Sequence, residues 1–321
     1  MKNEKVVDFK IKQLLDCGVH FGHKTNYWSP KMRPFIYGAR NNTHIFNLAQ
    51  TARNLNIALQ KVKDVASKNG KILFVGTKKQ AQNSIATHAK RCGQYFVNYR
   101  WLGGMMTNWY TISASLKTLE NYEEVIANED LDITKKERLS IEKKRVKLEN
   151  VLGGIRTLGG KPDLLVVIDC RNESLAIKEA NKLGIPVVGV VDSNTSPDGI
   201  DYVIPGNDDA SKAIELYCYL ISEAILKGME QSLSSSGAKL SAEETVQLHQ
   251  DALAKEAKQA ADAAASKKRA RTNASNNASK RNDAKAKPAA ASKGDDKAAS
   301  KAKPAAASKS DDKAASKAKS K

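Results

Sequence analysis

The sequence predicts an α/β protein with a parallel, doubly wound sheet, an inserted antiparallel coiled-coil helical hairpin and a disordered basic C-terminal tail. Continuous apolar runs, typical of strands buried on both faces, occur at 164–168 and 186–191. Amphipathic helical segments alternate with the strands, which is the order of βαβ units. Residues 111–151 carry a helical period alone, and the composition changes after residue 228. We therefore expect a domain at 1–228 and a low-complexity tail at 229–321.

The first half of the chain alternates helices and strands around one irregular stretch. Its predicted elements are helix 8–16, helix 47–68, strand 72–75, helix 80–91 and strand 95–97. Asp8 is placed to cap the first helix. The turn at Gly76 follows a strand and precedes a helix, but neither GxxxxGK[ST] nor GxGxxG occurs there. The sequence thus lacks the signatures of a P-loop and of a dinucleotide site.

Residues 111–151 predict two amphipathic helices that project from the domain as a coiled-coil arm. An acidic break at 127–134 separates the helices, and Thr134 with Glu137 forms a capping box at the start of the second. Leu139 and Val146 belong to its apolar seam. The return helix also carries many lysines and arginines. That cationic face is either a contact surface or an ordinary solvated surface.

The second half predicts strands at 164–168, 186–191 and 202–204, with helices at 173–183 and 208–227. Asp169 and Asp192 follow two of these strands at the sheet edge where such folds place active sites. They support the alternative hypothesis of an enzyme that uses a nucleotide or sugar phosphate. No nucleophile, histidine base or phosphate loop accompanies them in the sequence, so turn closure and helix capping are their expected roles.

Charge and composition indicate a polyanionic partner. The 321 residues carry a net charge of +18 with a pI near 9.6. Residues 266–321 contain seventeen Lys and Arg against five Asp, a charge of +12, which leaves +6 for residues 1–265. The tail repeats a 16-residue unit at 285–300 and 301–316 and lacks aromatic residues, so we expect it to be disordered. Any nucleic-acid site in the domain must therefore be local.

Cysteine usage and hydropathy indicate a cytoplasmic protein without a membrane partner. The four cysteines are far apart and form no CxxC pair, which favours free thiols. No run of about 18 apolar residues occurs, so a membrane span is not expected.

The stretch 18–48 combines cations and aromatic rings in a way that packing alone does not require. Glycines and prolines interrupt it so often that we expect an irregular segment. Its charges suit phosphate groups and its rings suit base stacking, the chemistry of RNA recognition. A stiff loop over the core is the alternative. The candidate RNA-binding residues here are His20, His23, Lys24, Trp28, Lys31, Arg33, Tyr37, Arg40 and Asn41.

Cys17, His20 and His23 are spaced by three residues and offer a metal-binding alternative in the same stretch. The glycines between them oppose a helix, and a zinc site usually needs a fourth ligand or an open catalytic position. We therefore expect no metal and no cofactor. Imidazoles bound to the backbone or to RNA are the favoured interpretation.

Two further sites are candidates for RNA contact. Lys78 and Lys79 lie in the turn before a predicted helix, where free backbone amides favour an anion. Arg100 and Trp101 precede a glycine pair and are candidates for phosphate contact and stacking. Trp109 and Tyr110, which follow the glycines, are expected to be core rings.

Four long segments together resemble one known family. They are GVHFGHKTNYWSPKMRPFIYGARNNTHIFNL, FVGTKKQAQ, YRWLGGMMTNW and PDLLVVIDCRNESLAIKEANKLGIPVVGVVDSNTSPDGIDYVIPGNDDA. In this order they are similar to the bacterial ribosomal protein S2 family of the small subunit, over about residues 7–228. The tail departs from the usual short ending of the family.

The resemblance implies a flavodoxin-like sheet with an inserted hairpin and no catalytic activity. It also implies binding to small-subunit ribosomal RNA near the junction of head and body, contact with other small-subunit proteins, and docking of the large RNA-binding ribosomal protein S1. No small-molecule substrate and no membrane partner are expected.

Overall fold

The structure is a computed structural model that describes residues 6–128 and 134–235. The described residues all belong to one compact unit. The predicted disordered tail and its repeats lie outside the described residues, apart from the last turns of the final helix. None of the described helices is both long enough and apolar enough to cross a membrane. All four cysteines are free, as predicted.

A five-stranded parallel sheet forms the centre of the domain. Its strands are β4 (Ile72–Val75), β5 (Tyr95–Val97), β6 (Leu164–Ile168), β7 (Val187–Val191) and β8 (Tyr202–Pro205), in the spatial order β5-β4-β6-β7-β8. That order is the flavodoxin-like one, in which the direction of winding reverses between β4 and β6. The predicted parallel sheet is confirmed, and the sequence located its three central strands to within one residue.

Helices cover both faces of the sheet. They are α1 (Ile11–Asp16), α2 (Leu48–Ala66), α3 (Lys79–Arg91), α6 (Ser174–Leu183) and α7 (Ser211–Ser235). One core contains α2, α3 and α7 with Ile72, Phe74 and Val166 of the sheet. The other contains α6 with Leu73, Val75 and the other strand residues that point to the opposite face of the sheet. Successive strand residues thus enter different cores, which explains the continuous apolar runs.

Several boundaries differ from the prediction. Lys10, not Asp8, is the N-cap of α1, and α7 continues past Gly228 to Ser235. Asn47 caps α2 by accepting a hydrogen bond from the amide of Ala49 at 3.1 Å. Gly184 ends α6 with φ of 69°, a left-handed conformation that glycine adopts without strain.

The stretch 18–48 is more regular than predicted. It forms a small antiparallel sheet of β1 (Phe21–Lys24), β2 (Ile36–Arg40) and β3 (Thr43–Phe46) in the order β1-β3-β2, with a 3₁₀ segment at Pro30–Phe35. Asn41 and Asn42 have φ of 52° and 57° between β2 and β3. Positive φ at both central residues is the requirement of a type I′ hairpin turn, which asparagine tolerates.

The predicted hairpin consists of α4 (Trp109–Ala127) and α5 (Lys135–Leu152). Thr134 and Glu137 form the expected capping box. The apolar seam is shorter than predicted: Ile112, Leu116 and Leu119 are buried, but Leu139 is 63% exposed and Val146 is also exposed. The two helices therefore bury apolar side chains between them only near the body of the domain. The extended coiled coil stays a prediction, since residues 129–133 are not described.

Candidate nucleic-acid interface

Lys24 and Arg40 lie in one row across the small sheet. In the antiparallel register both pair with Thr43, which lies on the strand between them. Directly opposed residues of antiparallel strands point to the same face, so the two cations share a face and their backbones are about 10 Å apart. Both are exposed, and neither forms an ion pair with a described residue. The row presents two unpaired positive charges to solvent.

The 3₁₀ segment extends this positive surface. Arg33 is exposed and has no acidic partner among the described residues. Lys31, in contrast, forms an ion pair with Asp198 from the loop after β7. This contact holds the segment against that loop and partly neutralises the lysine. Asn41, at the hairpin turn beyond Arg40, is exposed.

Aromatic rings accompany these cations. Tyr37 on β2 is 81% exposed, and Trp28 is exposed with its ring centroid 5.1 Å from that of His44. Tyr27 is exposed as well, although it is not among the predicted RNA-binding residues. Its position beside Trp28 in the same segment was the signal available. Exposed rings and exposed cations in one segment are the combination used to bind single-stranded nucleic acid. We call Lys24, Tyr27, Trp28, Arg33, Tyr37 and Arg40 the cationic–aromatic surface.

Lys79 and Arg100 are exposed, as an RNA contact requires, but Trp101 is not. The Trp101 ring is only 7% exposed within a hydrophobic core, and its Nε1 donates to Glu179 Oε1 at 3.2 Å. The prediction that Trp101 offers a stacking face is therefore wrong. The expectation for Tyr110 is wrong in the opposite sense, because its ring is exposed.

The imidazoles of His20 and His23 have different surroundings. The rings of His20 and Phe21 are in tilted contact, with centroids 3.9 Å apart, and burial lowers the pKa of His20. His23 Nδ1 lies 3.1 Å from Asp192 Oδ1, and its Nε2 lies 3.4 Å from Asp209 Oδ2. The Asp192 carboxylate raises the pKa of His23, burial opposes this, and Asp209 adds to it. His23 is thus turned toward carboxylates and not toward solvent phosphates.

Lys78 is also turned inward. Its ammonium forms ion pairs with Asp208 at 2.9 Å, Asp169 at 3.6 Å and Asp209. We call Lys78, Asp169, Asp208 and Asp209, together with the neighbouring His23 and Asp192, the charged cluster. Three carboxylates already surround the Lys78 ammonium and compensate its charge, and the contact of Lys78 with RNA stays a prediction.

Buried charge shapes the pKa values of this cluster. Burial and the nearby Asp169 and Asp192 carboxylates raise the pKa of Asp208 to about 7, against the opposing effect of Lys78. Burial disfavours the Lys78 ammonium, but Asp209, Asp208 and Asp169 outweigh it and raise the pKa of Lys78. The cluster therefore holds an excess of negative charge.

Asp169 and Asp192, the basis of the enzyme hypothesis, have structural contacts. Asp169 has φ of 63° and accepts hydrogen bonds from the amide and side chain of Asn172, at 3.2 and 2.7 Å. Asp192 accepts from the Ser193 hydroxyl at 3.0 Å. The expected turn closure is present at both sites. The expectation that no histidine accompanies them is wrong, because His23 on β1 lies beside Asp192. The sequence separation between these two residues is too long for spacing to reveal the contact.

Cys17, His20 and His23 do not form the metal site that their spacing suggested. Among the described residues, the group able to hold a metal is His23, Asp192 and Asp209. The members of this trio come from three distant segments, so spacing in the sequence did not indicate it.

Comparison with known proteins identifies relatives over most of the described chain. A family model described as "Ribosomal protein S2" matches residues 14–228. The small ribosomal subunit protein uS2 of Rhizobium meliloti is 57% identical over 239 residues, 74% of this chain and 94% of the relative. The proteins of the same name from Dinoroseobacter shibae and Agrobacterium fabrum are 56% identical over 250 residues and 55% identical over 237 residues. These matches cover 78% and 74% of this chain and 96% and 93% of the relatives.

Proposed function

The chain belongs to the ribosomal protein S2 family, and from this premise we propose that its cationic–aromatic surface binds small-subunit ribosomal RNA. Members of this family are structural components of the small ribosomal subunit, so the chain acts in translation and is not an enzyme. The enzyme hypothesis is set aside because of this family membership. The structural hydrogen bonds of Asp169 and Asp192 agree with a role that is not catalytic.

The observation that carries the proposal is that Lys24, Arg33 and Arg40 are exposed, have no acidic partner among the described residues and share a segment with exposed rings. Phosphate contacts dominate nucleic-acid affinity, and a cation that already has a carboxylate partner gains less from a phosphate. Residues 1–265 have a net charge of only +6. A few unpaired cations on one small sheet therefore account for much of the positive charge that it offers to RNA. Lys79 and Arg100 are secondary candidates, since both are exposed.

The same proposal includes a location for the RNA contact and a protein partner. We place the RNA contact near the junction of head and body, in the ribosome of the cytoplasm, with neighbouring small-subunit proteins completing the site. Docking of ribosomal protein S1 is supported by apolar side chains on another part of the chain. Ile11 and Leu15 are both exposed, and their i, i+4 spacing places them on one side of α1. Phe21, at the start of β1, is exposed too.

Ultraviolet crosslinking of small subunits that contain the full chain tests the RNA contact. We expect crosslinks at Tyr27, Trp28 and Tyr37, because photoreactive rings must touch a base to react. Trp101, which is buried, serves as the internal control and should remain unmodified. Crosslinks confined to segments outside residues 24–41 would contradict the proposal. In the same subunits, Ile11→Ser with Leu15→Ser should lower the amount of bound S1 and leave the RNA crosslinks in place.

A further inference from the structure

We propose that residues 266–321, which we call the basic segment, bind the phosphate backbone of RNA through charge alone. The family model matches residues 14–228, so the basic segment lies outside it. The match to the Rhizobium meliloti relative covers 94% of that relative but only 74% of this chain. Membership of the family therefore assigns no role to the basic segment. The RNA contact proposed for the domain does not depend on it, so this inference goes beyond that function.

Positive charge is concentrated in the basic segment. It holds seventeen Lys and Arg against five Asp and carries +12 of the net charge of +18. Residues 236–265, which precede it, hold three Lys against five Asp and Glu, a net charge of −2. The positive charge therefore begins abruptly, and not as a gradual change along the C-terminal part of the chain. A local excess of this kind indicates a polyanionic partner.

The two 16-residue repeats, 285–300 and 301–316, place these charges at regular positions. Each repeat has lysine at its first, third, ninth and thirteenth positions and an aspartate pair at its eleventh and twelfth, so each carries a net charge of +2. The repeats differ only in that Gly294 of the first corresponds to Ser310 of the second. A nucleic acid is also a series of regularly repeated charges. It can therefore pair with such a sequence in many registers, without a defined pocket.

The basic segment lacks the side chains that other modes of binding require. It contains none of Phe, Trp, Tyr, Val, Ile, Leu and Met. Base stacking, which exposed rings provide, is therefore not available to it, and neither is insertion of apolar side chains into a bilayer. Phosphate contacts remain, and these carry no sequence information. RNA is favoured over an anionic membrane because the members of this family are components of the small ribosomal subunit.

The last described helix carries the chain away from the cationic–aromatic surface. α7 begins after β8, at the carboxyl edge of the parallel sheet, and its 25 residues span about 37 Å. Near its end, the Ser232 hydroxyl donates to Asn69 Oδ1 at 3.4 Å, in the turn that precedes β4. That turn lies at the amino edge of the sheet. The small sheet adjoins the opposite edge, because the His23 amide donates to Ser193 Oγ, just after β7, at 2.8 Å.

A close helix crossing fixes this direction of α7. A Cβ at Gly228 would lie 2.6 Å from the Lys63 carbonyl oxygen and 2.8 Å from the Ala66 Cβ, at the end of α2. The two helices therefore pack in direct contact near the amino edge of the sheet. The cationic–aromatic surface and the basic segment are thus separated in the chain by the length of α7 and by residues 236–265. Binding of RNA by one does not use any residue of the other.

The test compares full-length chains that all carry Arg33→Glu and Arg40→Glu, so that the domain surface contributes equally little in each. One variant also replaces the eight lysines of the two repeats with glutamine. Fluorescence anisotropy measures binding to a labelled single-stranded RNA of mixed sequence, about 40 nucleotides long, at about 50–200 mM KCl. The substituted lysines are Lys285, Lys287, Lys293, Lys297, Lys301, Lys303, Lys309 and Lys313.

We expect the lysine variant to bind this RNA at least about tenfold more weakly at the lowest salt concentration. The slope of log K against log salt should fall in magnitude by about 2 or more, since each lost phosphate contact removes about 0.7. Both changes follow from the release of fewer counterions. Because every chain carries the same two arginine substitutions, failure of the RNA contact proposed for the domain would leave this comparison intact.

Two matched variants test whether charge alone is recognised. The first replaces the aspartates of the two pairs with asparagine and should bind RNA more tightly than the parent chain, because it has gained net positive charge. These are Asp295, Asp296, Asp311 and Asp312. The second reorders residues 285–316 at random. It keeps their composition and charge, so it should bind as the parent chain does.

Equal affinity and equal salt slope in the parent chain and the lysine variant would overturn the proposal. Loss of binding in the reordered chain would also overturn it, since that result requires a sequence-specific motif. Vesicles that contain phosphatidylglycerol provide the third comparison. Tighter binding of the parent chain to these vesicles than to RNA, at the same salt concentration, would assign the basic segment to a membrane surface and contradict the proposal.

Discussion

Glu179 organises the loop that connects β5 to the hairpin. Its buried carboxylate accepts hydrogen bonds from the backbone amides of Gly104, Met106 and Thr107, at 2.8–3.1 Å, as well as from the Trp101 indole. Burial opposes ionisation, but these donors outweigh it and lower the pKa of Glu179. One carboxylate therefore satisfies the backbone of a whole glycine-containing turn.

Glu179→Gln should destabilise the fold by roughly 2–3 kcal/mol near neutral pH, because an amide can accept fewer of these bonds and loses their charge assistance. Urea denaturation measures the change. The folded pKa is depressed, so the stabilisation is complete above the ordinary glutamate value of 4.5 and is lost as the pH falls through the folded pKa. The difference between the two chains should therefore narrow below pH 4.5.

The control for this substitution is Glu142→Gln, which removes a half-exposed carboxylate paired with Arg145 on α5. It should leave stability unchanged within error. If Glu179→Gln behaves in the same way, the loop is held by packing and not by the carboxylate.

The sequence did not reveal the role of Glu179, and this explains the error at Trp101. Arg100 and Trp101 are adjacent and share the composition of an RNA site, yet one is exposed and the other is buried. The deciding contact comes from a residue 78 positions away. The same limitation applies to Lys78 and His23, whose carboxylate partners lie on distant loops. Residue type and spacing predicted the chemistry of these sites but not which side chains remain free.

At the scale of elements, the turn that ends the hairpin depends on one glycine. A Cβ at Gly154 would lie 2.1 Å from the Phe96 carbonyl oxygen and 2.9 Å from its ring. A backbone carbonyl group cannot move aside as the end of a flexible side chain can. The close approach of this turn to β5 therefore requires glycine.

Gly154→Ala should cost about 1–3 kcal/mol, because relief of the overlap requires a shift of the turn or of β5. Thermal unfolding of the full chain measures the loss. Gly38→Ala is the matched control, since a Cβ at that position of β2 meets nothing within 4 Å. A Tm for Gly154→Ala as high as that for Gly38→Ala would show that the turn is not closely packed against β5.

Elements with strong local patterns were predicted well, and those defined by long-range pairing were not. Ile72–Val75 and Leu164–Ile168 were located to the residue, because strands buried on both faces are continuous apolar runs. The small sheet was missed, since its strands have four or five residues and its registers contain irregularities at Phe21 and Ile36. The pair Asn41-Asn42 was the one local signal of its hairpin.

At the scale of the whole molecule, the charged cluster occupies the position where related sheets bind ligands. The winding reverses between β4 and β6, and the crevice beyond their carboxyl ends is the usual ligand site. Here Lys78 follows β4 and pairs with Asp169, which follows β6. The protein thus fills this crevice with its own ion pairs, and the surface that we propose for RNA binding lies on the added antiparallel sheet.

Competitive incorporation into small subunits tests this account most directly. The full chain carrying Arg33→Glu and Arg40→Glu is coexpressed with a differently tagged unaltered chain, and the ratio of the two is measured in purified subunits and in the free pool. Lys178→Glu with Lys182→Glu, two exposed positions on α6, makes the same change in charge outside the cationic–aromatic surface. We predict that the arginine variant is depleted from subunits by about tenfold or more, while the lysine variant competes equally. Equal incorporation of the arginine variant, or equal depletion of both variants, would contradict the account.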